Sequence, residues 1–130
     1  MAYRLLVVDD DKDTADTIGN RLAKEGYEVA VSYDGEDALA KVGEFNPDVV
    51  ILDLMLPKLN GFDVLKVVRE RYKEKWRPVI IVSARTELEA LRTCYALEAD
   101  HYITKPFSID DLLRGIKIVI SLIPQRRKGE

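Results

Sequence analysis

Residues 4–14 read RLLVVDDDKDT, an aliphatic run at residues 5–8 that ends in three consecutive carboxylates, Asp9, Asp10 and Asp11. A short, continuous apolar segment of this kind is the pattern of a strand covered on both faces. Like charges at neighbouring positions repel, by roughly 1 kcal/mol at 4 Å in water and about 4 kcal/mol where the effective dielectric is near 20. Carboxylates crowded at the mouth of a buried strand therefore call for a positive partner.

Two more segments carry the same signature, DVVIL at 48–52 and PVIIV at 78–82, with weaker candidates at 27–32 (YEVAVS) and 101–104 (HYIT). Between them the apolar residues fall at helical spacing. Ala15, Ile18 and Leu22 form one stripe, stopped by Gly26. Ala38, Val42 and Phe45 form the second, with Asp34 as its N-cap, and Leu65, Val68 and Tyr72 form the third. Leu88, Leu91 and Tyr95 form the fourth, opened by a capping box of Thr86 and Glu89. The fifth starts after Ser108 and carries Leu112, Leu113, Ile116 and Ile120 up to Pro124. Strand and helix thus alternate five times with short connections. Right-handed crossovers then give an α/β fold, a doubly wound parallel sheet with helices on both faces.

The totals agree with one domain. The chain has 130 residues, 47% of them hydrophobic and 33% charged, with net charge −3 and a pI near 5.3. Nothing global points to nucleic acid or to an anionic membrane surface. The apolar runs are too short to span a bilayer, and no basic-then-apolar leader opens the chain. A lone Cys94, expected to be a packed side chain, suits a reducing, cytoplasmic setting. The expected domain covers residues 1–124, with 125–130 as a polar, basic tail or linker stub.

In open sheets of this class, ligands collect beyond the carboxyl ends of the strands. Asp9 and Asp10 stand at the end of the first strand and Asp53 at the end of the third. Ser83 follows the fourth and Lys105 the fifth. Asp11 or Asp13 is read as a helix N-cap. Asp53 interrupts an aliphatic run, where a charge is costly without a partner. If the strands are neighbours, these residues share one rim. Three carboxylates with hard oxygen donors select Mg²⁺ or a similar divalent ion. A lysine, a hydroxyl and a metal-bound carboxylate make a cradle for a phosphoryl group.

Four motifs, VVDDD (7–11), DVVILDLMLPKLNG (48–61), VIIVSA (79–84) and YITKPF (102–107), make the chain resemble a response-regulator receiver domain of two-component signalling over roughly residues 4–120. The resemblance implies a flavodoxin-like, five-stranded sheet of order 2-1-3-4-5 with five helices. It implies that Asp53 accepts a phosphoryl group from a sensor histidine kinase or a small phosphodonor, and that the protein is a switch rather than a turnover enzyme. Mg²⁺ (or Mn²⁺) would be held by Asp10, Asp53 and the Met55 carbonyl, with Asp9 directly or through water. Lys105 would pair with a phosphoryl oxygen, across a cis Lys105–Pro106 peptide. Ser83 and Tyr102 would form the switch that reshapes the surface of the fourth helix, fifth strand and fifth helix.

SAR (83–85) and KPFS (105–108) are similar to receivers joined to winged-helix domains. Departures from that subgroup are Glu98 in place of a glycine, and His101 and Gly115 where an acidic residue and an arginine often pair across an activated dimer. The usual charge-paired dimer is therefore not expected. Ile116, Ile118, Val119, Ile120, Leu122 and Ile123 wrap more than one face of the fifth helix, which points to packing against a second protomer or an output domain. No direct contact with nucleic acid or membrane is expected.

Three other readings compete. A phosphohydrolase using an aspartyl phosphate needs a second carboxylate two residues past the nucleophile, where this chain has Met55. A phosphate-independent docking module would have lost an acidic or lysine site residue, and none is lost. A nucleotide-binding domain would show a Gly-rich loop after the first strand.

Overall fold

The computed structural model describes residues 2–127. Its elements are β1 (Arg4–Val8), α1 (Lys12–Lys24), β2 (Glu28–Ser32), α2 (Gly35–Phe45), β3 (Val49–Leu52), α3 (Gly61–Arg71), β4 (Val79–Ser83), α4 (Leu88–Ala96), β5 (His101–Thr104) and α5 (Ile109–Arg126). The strands form one parallel sheet of order β2-β1-β3-β4-β5. The chain runs outward from β1 to β2 and returns across β1 to β3. The crevice between β1 and β3 is thus the topological switch point.

Alternation along each strand divides the core in two. Leu5, Val7, Val49, Ile51, Ile80, Val82 and Ile103 face α1 and α5. Leu6, Val8, Val50, Leu52, Val79 and Ile81 face α2, α3 and α4. Both faces are covered, as the unbroken aliphatic runs require. Among the described residues, no helix is long and apolar enough to cross a membrane.

Four helices begin on a side-chain cap: Asp11, Asp34, Asn60 and Ser108 each accept the N–H three residues on. The fourth helix departs from expectation. Its N-cap is Glu87, without a side-chain cap bond, so the Thr86–Glu89 capping box does not form. Its buried residues are Ala90 and Cys94, whereas Leu88 and Tyr95 are 62% and 50% exposed. Small residues meet the core, and the larger ones face outward. Burial pushes the Cys94 thiol up to about 11, which keeps it protonated and inert.

Glu98 adopts φ 66°. The strain is tolerated because its carbonyl accepts two N–H bonds from Arg69, at 3.1 and 2.7 Å. Gly115 leaves room for His101, whose Cδ2 would lie 2.9 Å from any Cβ at position 115. At the free edge of the sheet, Lys41 Nζ donates to the Val31 carbonyl of β2 at 2.5 Å.

Pro124 does not end α5, which continues to Arg126, so the tail expected from residue 125 is helical at its start; residues 128–130 lie outside the described residues. A proline inside a helix removes one bond and costs about 3 kcal/mol. Tertiary anchoring offsets it: Arg127 donates to the Trp76 carbonyl at 2.6 Å and to Asp48 Oδ1 at 3.0 Å.

Asp48 is the hub of this lower pole. It also accepts the Arg4 N–H at 2.8 Å and pairs with Lys75 at 3.0 Å. Burial alone would raise its pKa, but the Arg4 amide, Lys75 and Arg127 outweigh it and hold the carboxyl below the usual range. The stabilisation is therefore present above the unfolded pKa and lost as pH falls through the lower folded one. Asp48→Asn should cost about 2–4 kcal/mol at pH 7. The gap from wild type should narrow progressively in urea titrations repeated at falling pH below about pH 4.

Candidate functional site

The residues just past three strand ends converge because the backbone ladder continues one step beyond the sheet. Asp9 N–H donates to the Ser32 carbonyl at 3.1 Å, Asp53 N–H to Val8 at 3.0 Å, and Lys105 N–H to Ser83 at 2.8 Å. Val8 pairs with Leu52 in register, which sets Asp9 beside Asp53 across the switch point. Lys105 emerges from β5, about 10 Å from β3 at the usual strand spacing, and its stem spans the gap. Its ammonium donates to Asp9 Oδ2 at 2.7 Å and Asp53 Oδ2 at 2.9 Å. The Lys105–Pro106 peptide is cis.

Both carboxylates are nearly closed to solvent, Asp9 at 3% exposure and Asp53 at 5%. Their second oxygens are also used: Asp9 Oδ1 accepts the Asp11 N–H at 3.0 Å, and Asp53 Oδ1 the Met55 N–H at 3.1 Å. Asp10 is exposed at the rim, and one oxygen from each of Asp9, Asp10 and Asp53 lies within 4.8 Å of the others. Burial pushes Asp53 up, and the bonds from Lys105 and Met55 do not fully offset it. Burial would pull Lys105 down, but Asp9 and Asp53 outweigh that and hold its ammonium above the usual lysine range. The site is thus short of positive charge: one lysine, bonded to Asp9 and Asp53, stands among three carboxylates. Clustered hard oxygens of this kind fit a divalent cation.

Ser83 is the last residue of β4 rather than the first beyond it, and it is buried. Its Oγ accepts the Arg85 N–H at 3.2 Å. Tyr102 is half-buried against the core, and its hydroxyl donates to the Arg85 carbonyl at 2.7 Å. Burial pushes its phenol up. Met55 keeps its side chain exposed beside the site. All the expected site residues therefore gather at one end of the sheet. Arg85, which joins Ser83 to Tyr102, was not singled out from the sequence; its place two residues past Ser83 was the available signal.

The model of the response regulator receiver domain matches residues 5–117. The receiver domain of the Francisella response regulator 1452 is 37% identical, with 90% of this chain and 95% of that one covered and a TM-score of 0.83. Chemotaxis protein CheY4 of Vibrio cholerae is 31% identical over 92% and 99% of the two chains, with a TM-score of 0.86. A CheY-like receiver domain protein from Methanospirillum hungatei is 28% identical over the full length of both, with a TM-score of 0.87. The chain belongs to the response regulator receiver domain family of two-component signalling.

Proposed function

We propose that this receiver domain is a switch operated by phosphorylation of Asp53. One Asp53 carboxylate oxygen attacks the phosphorus of a phosphohistidine on a sensor histidine kinase. The P–N bond breaks, its electron pair leaves with the imidazole, which takes up a proton, and Asp53 becomes an acyl phosphate. A small phosphodonor serves in the same way. Asp9, Asp10 and Asp53, with the Met55 carbonyl, would hold Mg²⁺ or Mn²⁺, whose charge offsets the crowded carboxylates and draws charge from the phosphoryl oxygens. Lys105 orients the phosphoryl group, its ammonium already fixed between Asp9 and Asp53. Ser83 donates its hydroxyl proton to a phosphoryl oxygen. Because the Asp53 carboxylate is consumed and regenerated on the chain itself, this is self-modification rather than turnover of a free substrate.

Phosphorylation adds roughly −1.5 to −2 charges. It acts as a switch only by favouring one packing over another, and Tyr102 is the inward marker of the favoured one. The output surface we assign is α4, β5 and α5. What supports it is the exposed apolar set of Leu88 and Tyr95 on α4 and Ile118 and Leu122 on α5. Such a face suits a second protomer or an output domain.

The observation that carries the reading is the Lys105 ammonium bridging two buried carboxylates, with Asp10 beside them. The test is intact mass after incubation with acetyl phosphate. A single alkali-labile phosphoryl adduct should form with Mg²⁺ and be absent with EDTA. A chain that stays unmodified under both conditions overturns the assignment.

A further inference from the structure

We propose that Arg85, seated on the ring of Phe62, is the positioning residue that ties Tyr102 and Ser83 to the phosphoacceptor, with α3 as its anchor; the inference rests on the phosphoacceptor reading of the site. Both main-chain groups of Arg85 are engaged, the N–H by Ser83 Oγ at 3.2 Å and the carbonyl by the Tyr102 hydroxyl at 2.7 Å. A hydroxyl has one proton and two lone pairs. With one lone pair taken by Arg85, Ser83 has its proton for the Tyr102 phenol oxygen that it also faces, or for an acceptor at the rim. Tyr102 spends its only proton on the Arg85 carbonyl, which holds the ring inward. One residue therefore sets both switch side chains.

The loop around that residue packs little. Ala84, Thr86 and Glu87 around it are exposed, and α4 starts without a side-chain cap. Beyond its two main-chain bonds, Arg85 is fixed by its own side chain. The guanidinium lies 5.5 Å from the centroid of Phe62, and Nε donates to Glu87 Oε2 at 3.0 Å. Phe62 is the second residue of α3 and follows Gly61, whose N–H donates to the Leu54 carbonyl at 3.0 Å. Leu54 is the residue after Asp53. The path from Asp53 through Leu54, Gly61, Phe62 and Arg85 to Ser83 and Tyr102 is thus continuous. Leu54, Phe62 and Arg85 of this path line a cavity of about 470 Å³ that also meets Asp10 and Met55.

The test follows Tyr102 in ring-labelled protein by NMR, its resonance assigned with Tyr102→Phe, beside Asp53 labelling by acetyl phosphate. Phe62→Leu should label as wild type does, while the ratio of inward to outward Tyr102 falls about two- to five-fold, the range for an exposed cation–π pair. Phe62→Tyr, which keeps a ring face, should restore the ratio. Arg85→Gln should give the same fall, and the double variant no further one. A Tyr102 ratio unmoved in Phe62→Leu, or a fall that Phe62→Tyr does not restore, overturns the proposal. If Phe62→Leu fails to fold, an unchanged ratio in Arg85→Gln overturns it instead. Absence of label in the wild type refutes the underlying phosphoacceptor reading, and the Tyr102 ratios, measured without phosphodonor, remain readable.

Discussion

Asp53→Asn should reduce labelling by acetyl phosphate by at least on the order of 10³-fold, because it removes the attacking oxygen and leaves the rest of the site in place. The variant should nevertheless fold, and in EDTA it should melt no lower than wild type. The sign follows from linkage. Burial pushes Asp53 up, so the folded chain holds that proton at a higher pH than the unfolded chain does. Between the ordinary carboxylate range and the raised folded pKa, stability falls as pH rises, and above it the ionised Asp53 remains a net cost. Asparagine removes that cost, and Lys105 keeps its bond to Asp9. Intact mass and calorimetry read the two arms. Undiminished label on the variant, mapped to Asp9 or Asp10, would reassign the acceptor.

The second large effect is expected at Gly61. A methyl group there would sit 2.3 Å from the Asp53 carbonyl oxygen and 2.6 Å from Leu54 Cα. Both neighbours are backbone atoms at the end of β3, so neither can rotate away, and the first turn of α3 must move off the strand. Gly61→Ala should cost about 3 kcal/mol, the upper end of ordinary overpacking. It should also slow labelling of whatever remains folded, since the atoms displaced are those that aim Asp53. Gly43→Ala is the control, because a methyl at this exposed position on α2 would come no closer than 3.4 Å to the Tyr72 hydroxyl. That substitution should be neutral or stabilising by up to about 1 kcal/mol, the helix-propensity difference. Urea denaturation of both variants separates the outcomes. Equal midpoints would show that the strand–helix junction is looser than its geometry implies.

The rim was legible in the sequence because each contributor is a polar residue set at the end of an aliphatic run. The alternation of strand and helix put Asp9, Asp53 and Lys105 at the same end of the sheet, and the strand order implied by the resemblance made them neighbours. The cap Asp34 was legible from local sequence, Asp11 was one of two candidates for the first helix, and the start of the fifth helix after Ser108 was legible too. The outward face of α4 was not. Leu88, Leu91 and Tyr95 make a stripe with the right spacing, but so do Ala90, Cys94 and Leu97, and side-chain size favours the wrong one. Periodicity gives the spacing of a face and not its partner. Pro124 was taken as a stop because its local penalty is real, whereas Arg127 and Asp48, which offset it, lie 79 positions apart. The stacking of Arg85 on Phe62 is hidden likewise, since no local pattern joins two residues on separate crossovers.

The bond from Lys41 to the Val31 carbonyl has a consequence for how the molecule meets others. An outermost strand with open main-chain groups is a template on which a neighbouring chain can crystallise into a continuous ribbon. Here a cation, paired with Asp37 at 2.9 Å, occupies one of those groups, and an arriving strand would have to displace it. Growth of the sheet by copying is thereby discouraged on that flank, and encounters are steered to side chains on the helices, where they can be made and broken as a signal requires.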